Sequence, residues 1–106
     1  MKIITKLALT ALLGSALLST AQAGNINKGQ SIYGKKIKAH CGNKTGGEFA
    51  ATFTQAQWQE ALKAGKFEAK LKEVCPDVKK YKEKWTPHIF EFANEYASDT
   101  GNEPSC

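Results

Sequence analysis

From Asn25 to Tyr96 the apolar residues recur at helical spacing, and no stretch alternates apolar and polar positions as a half-buried strand does. The pattern points to the all-α class, a small bundle of about four to five helices. A first helix is expected to start at an Asn25 or Asn27 cap and run to about His40, with Ile26, Tyr33, Ile37 and Cys41 near one stripe. The glycines of "CGNKTGG" then break it into a polar loop, with Phe49 and Phe53 as apolar plugs beneath. Thr54 and Gln57 form a capping box that opens "QAQWQEALKAG"; its inner face is Trp58, Ala61 and Leu62, and Gly65 ends it. A third, short helix runs through "KFEAKLKEVC" with Phe67, Leu71 and Val74 or Cys75 inward. Pro76 stops it, and Val78, Tyr81 and Trp85 recur at helical spacing in a further turn over "PDVKKYKEKW". The last helix starts at Thr86 with Pro87 at its first position, and Ile89, Phe92, Ala93 and Tyr96 keep the spacing of a core-facing stripe.

The start of the chain bears on its destination. Lys2 and Lys6 precede an uncharged apolar run from Leu7 to about Leu18, and Ala21 and Ala23 stand in the A-x-A arrangement of a cleavage site. Residues 1–23 therefore read as a secretory signal peptide, and 24–106 as one exported helical domain with no second run able to span a membrane. Residence in the periplasm is the expectation. A domain this small buries only about 60 per cent of its unfolded surface, so a covalent staple or a bound cofactor matters to it. Export favours a disulfide between two of Cys41, Cys75 and Cys106. All three pairings stay open, and the leftover thiol is free, bonded to a cofactor, or bonded to a second chain in a disulfide-linked dimer.

The stretch "GQSIYGKKIKAHCGNKTG" carries a resemblance. Gly29 and Tyr33 stand four apart on the first helix, and Phe92 and Tyr96 lie on the last. This resembles the class I cytochrome c family, where a first-helix glycine lets the last helix cross closely and an aromatic ring packs into the crossing. The resemblance implies a cytochrome c-like bundle and a role in periplasmic electron transfer, with a periplasmic redox protein as partner. The haem-attachment element C-x-x-C-H is altered, however. Its slot, Ile37 to Cys41, puts Ile37 and His40 where the two cysteines belong and Cys41 where the axial histidine belongs. The only methionine is Met1, so the usual distal ligand is missing as well. Standard covalent attachment is thereby excluded. Haem held by a Cys41 thiolate or by His40, with His88 or a lysine opposite, is the alternative reading. A disulfide-stapled binding protein unrelated to redox chemistry is the third.

Other chemistries find little support. No C-x-x-C redox pair is present, and His40 and Cys41 lack the spacing of a zinc shell. "GNKTGGEFAATFTQAQW" does not match the order of a phosphate loop. No serine–histidine–aspartate or paired-carboxylate pattern marks an enzyme, so no catalytic residue is assigned. All 15 basic side chains are lysines, which argues against nucleic acid, where arginine supplies the bidentate contacts. The lysine excess suits solubility or loose docking to an acidic partner. In "KEVCPDVKKYKEKW", Glu73, Asp77 and Glu83 dilute the lysines, and a solvated face is expected rather than a membrane-binding one. Phe49, Phe53, Trp58 and Trp85 are expected to fill the core rather than line a cofactor pocket.

Overall fold

The computed structural model describes residues 24–104; residues 1–23, where a signal peptide is expected, and 105–106, with Cys106, lie outside the described residues. Five α-helices are present among them: α1 Ile26–Ile32, α2 Gly46–Ala50, α3 Gln55–Lys63, α4 Phe67–Val74 and α5 Thr86–Glu95. No described residue lies in a strand. The last helix is the hub, packing on α1 along its length and also touching α2, α3 and α4. Ile89, Phe92 and Ala93 supply its fully buried stripe, as their spacing requires, and Phe90 adds a second buried flank that the single-stripe reading omits.

The α1–α5 crossing depends on missing side chains. At Gly29 a methyl group would run into the main-chain carbonyl of His88 and lie 3.0 Å from the Phe92 Cβ. Gly24 meets the carbonyl of Pro87 in the same way. The two backbones approach along one edge, and α5 also helps to cap α1. The Asn25 N–H donates to His88 Nδ1 at 3.1 Å, while the Asn25 side-chain oxygen accepts from the Lys28 N–H at 2.9 Å.

Beyond Ile32 the first helix continues as a π-helical turn, Tyr33–Ile37, and then a 3-10 turn, Lys38–His40. The buried residues Gly29, Tyr33, Ile37 and Cys41 are spaced by four. On a regular helix of 3.6 residues per turn, each step of four rotates about 40° past a full turn. A wider π turn takes up that drift and keeps all four positions facing α5 and the core.

Two capping boxes set the next elements. Thr54 and Gln57 cap α3 reciprocally, and Gly65 ends that helix at φ 72. Thr45 and Glu48 cap α2 in the same manner, so the expected glycine-rich loop contains a five-residue helix. Phe49 is carried inward on it rather than on a loop. The expected helical turn over 76–85 is corrected. Residues 79–82 carry no helix, and only Glu83–Trp85 forms a 3-10 turn. Lys79 faces Lys82 at a spacing of three and Lys80 faces Lys84 at four, both like-charge pairings that a helix would bring together.

Substitution tests the crossing directly. Gly29→Ala is expected to destabilise the fold by about 2 kcal/mol or more, since backbone rather than a flexible side chain must move. Gly34→Ala, where a methyl meets nothing within 4 Å, is expected to be neutral or slightly stabilising. Urea denaturation of the two variants against the parent measures the contrast.

Candidate functional site

The interior is built from aromatic rings in a chain of contacts. Tyr33 stacks on Phe49 with centroids 4.7 Å apart, Phe49 meets Trp58 at 5.3 Å, and Trp58 meets Phe67 at 5.5 Å. Phe67 then abuts Phe90 at 6.2 Å, and Phe53 closes on Trp58 edge-on at 5.2 Å. The polar ends of two rings are satisfied. Tyr33 donates its hydroxyl proton to the Lys44 carbonyl at 2.7 Å, and the Trp58 indole N–H donates to the Ala50 carbonyl at 2.9 Å. Among the described residues no buried side-chain nitrogen or oxygen lacks a hydrogen-bond partner. Phe49 and Trp58 are therefore core filling, and Phe53 packs against it half-buried.

The residues of the altered slot separate in space. Ile37 is fully buried in the core. His40 is exposed at the end of the 3-10 turn. Cys41 is buried and bonded to Cys75 across 34 residues of sequence. With that bridge formed, Cys41 presents no thiolate, so the expected Cys41–iron contact requires its reduction. His88 accepts the Asn25 N–H through Nδ1, so its ring is engaged with the start of α1. Among the described residues no group of three or more histidine, cysteine, aspartate or glutamate side chains converges as a metal shell. The helix-crossing set is brought together: Tyr33 and Phe92 lie 6.3 Å apart, and Phe92 packs edge-on against Tyr96 at 5.4 Å.

A different site emerges between two lysine-bearing segments. A hollow of about 560 Å³ is lined by residues that lie just before Cys41 and after Cys75 in the chain. Lys35, Lys36 and His40 form one wall; Lys79, Lys80 and Lys82 form the other, with Trp85 as its apolar side. All five lysines are exposed, and Trp85 is half-buried. Neither ion pair among the described residues involves them, because both tie lysines of α4 to glutamates of the same helix. The expected solvated lysine face is thus the second wall of a concavity. Nothing in the local sequence signals this, since the two walls are far apart along the chain.

Tyr81 braces that wall. Its ring meets the Trp85 ring edge-on at 5.6 Å, and its hydroxyl shares a hydrogen bond with Thr86 Oγ1 at 2.7 Å. Burial pushes the Tyr81 phenol up from 10.0 to about 12; the Thr86 hydrogen bond lowers it, and Glu83 and Glu68 raise it further. The folded chain holds this proton more tightly than the unfolded chain does. Its contribution is complete below the unfolded pKa of 10.0 and is lost as pH rises through about 12.

Two outcomes are expected. Tyr81→Phe should flatten part of the fall in stability between pH 10.0 and about 12, read by urea denaturation of variant and parent side by side. Reducing the Cys41–Cys75 bridge, or replacing both residues with serine, should cost about 2–4 kcal/mol, because the bridge limits the unfolded chain over a long loop.

No family model, no curated protein and no solved structure matches this chain.

Proposed function

We propose that this chain is an exported interaction module of periplasmic electron transfer, cytochrome c-like in its scaffold and free of covalently attached haem. One observation carries the reading. The first and last helices approach closely at Gly29, and the interior is filled by side chains, with Tyr33, Phe49 and Trp58 each at most 1 % exposed. A scaffold that retains the close helix contact and fills its interior with side chains serves as a shaped surface. Its partner is a redox protein met in the periplasm, where the leader at 1–23 directs the chain. No catalytic step is assigned to it. The atypical haem carrier is the weaker reading, because the bridge consumes Cys41 and leaves exposed His40 as the near-slot ligand.

Absorption spectroscopy and capture test this together. Protein exported under haem-sufficient growth should be colourless, with no Soret band. The bridged chain, immobilised, should retain a coloured haem-bearing protein from periplasmic extract, detected by the Soret absorbance of the eluate. A Soret band in the purified chain itself would establish the carrier reading instead. A colourless chain that retains no haem protein would leave the disulfide-stapled binder unrelated to redox.

A further inference from the structure

We propose that the lysine hollow between Lys35–His40 and Lys79–Trp85 is a binding site for a small, soluble, ring-bearing polyphosphate, of the nucleoside diphosphate kind. Three features of the hollow converge on that chemistry. The first is charge: five lysine ammonium groups and His40 surround the space, and no acidic residue lines it. Like charges so arranged repel one another, and a multivalent anion placed between the walls turns that repulsion into attraction.

The second feature is covalent. Cys41 directly follows His40, at the end of one wall, and Cys75 stands four residues before Lys79, at the start of the other. The bridge therefore ties the chain just after one wall to the chain just before the other, which limits how far the two can separate. Lys35 and Lys36 lie on the π turn, and Lys79 to Lys82 lie on a segment without helix. Each wall thus departs from regular α-helix where it meets the space.

The third feature is shape. A volume of about 560 Å³ falls in the range of small-molecule sites, roughly 300–1,000 Å³. Trp85 and the lysine methylene stems give it an apolar side on which a flat ring can lie. Lysine rather than arginine implies point-charge attraction without bidentate geometry, which tolerates phosphate groups in several poses. This inference stands apart from the redox reading: it concerns the basic hollow, and it holds whether or not a haem-bearing partner is found.

Trp85 reports occupancy, since the other tryptophan, Trp58, is fully buried and hydrogen-bonded in the core. Titration of the bridged protein with ADP at low salt should change Trp85 fluorescence saturably, and raising salt to about 0.3 M should weaken binding by about tenfold. Pyrophosphate should bind several-fold more weakly than ADP, measured by calorimetry. The exposed double variant Lys79→Glu/Lys80→Glu, shown folded by circular dichroism, should lose at least about tenfold in ADP affinity. Trp85→Leu should bring ADP down to the affinity of pyrophosphate. The proposal is overturned by any of three results: no saturable binding of ADP at millimolar concentration, equal affinity in the charge-reversed variant, or binding only to vesicles containing anionic phospholipid. The last would identify a membrane surface as the source of the phosphate groups.

Discussion

The close approach of α1 and α5 at Gly29 governs the rest of the architecture. With hydrogen in place of a methyl group, the backbone of α1 lies against the His88 carbonyl, and Phe92 drops in beside it. That contact sets where Tyr33 projects, and Tyr33 begins the run of rings through Phe49 and Trp58 to Phe67. It also brings His88 within hydrogen-bond reach of Asn25, so the same crossing that packs α1 helps to cap it. Remove the approach and the aromatic chain loses its first member's position, not merely one contact.

A small domain with this geometry still has a thin core, and two devices compensate. Aromatic rings deliver much buried area per residue; Tyr33 stacks on Phe49 and Phe92, and the Phe49–Trp58, Phe53–Trp58 and Phe67–Phe90 pairs meet tilted or edge-on. The Cys41–Cys75 bridge then ties the end of the first helical segment to the end of α4. On the proposed reading, the bridge and the rings together do the work that a covalently anchored cofactor does in a haem-bearing scaffold. One restricts the unfolded chain, and the other occupies the interior.

How much of this is legible in the sequence depends on how far each determinant reaches along the chain. Thr54 with Gln57, and the stripe of Ile89, Phe92 and Ala93, act within a few residues, and the elements they specify are where the pattern puts them. The meeting of the glycine at 29 with the aromatics at 33 and 92 is expected from the family resemblance alone, because spacing within one helix does not say which residues of another it meets. Thr45 with Glu48 is the same signal as Thr54 with Gln57, yet five residues are too few to show periodicity, so α2 reads as loop. Over 79–82 the apolar spacing of Val78, Tyr81 and Trp85 suggests helix, but lysine repulsion at spacings of three and four opposes it. Val78 is buried and Tyr81 and Trp85 are partly buried, as the spacing suggests, while the backbone over 79–82 is not helical.

The hollow was the least legible feature, for a physical reason. Its two walls are separated by three helices in sequence and are joined only through a bridge whose pairing the sequence leaves open among three choices. Either wall alone is an ordinary run of solvated lysines. Their meaning changes once Cys41 finds Cys75, because the same covalent bond that stabilises the fold also holds like charges in opposition. Such an arrangement raises the electrostatic energy of the empty site and lowers that of a site holding an anion. On the proposed reading, the disulfide couples two properties that are otherwise independent in a helical domain this small, its resistance to unfolding and the opposition of the two lysine walls.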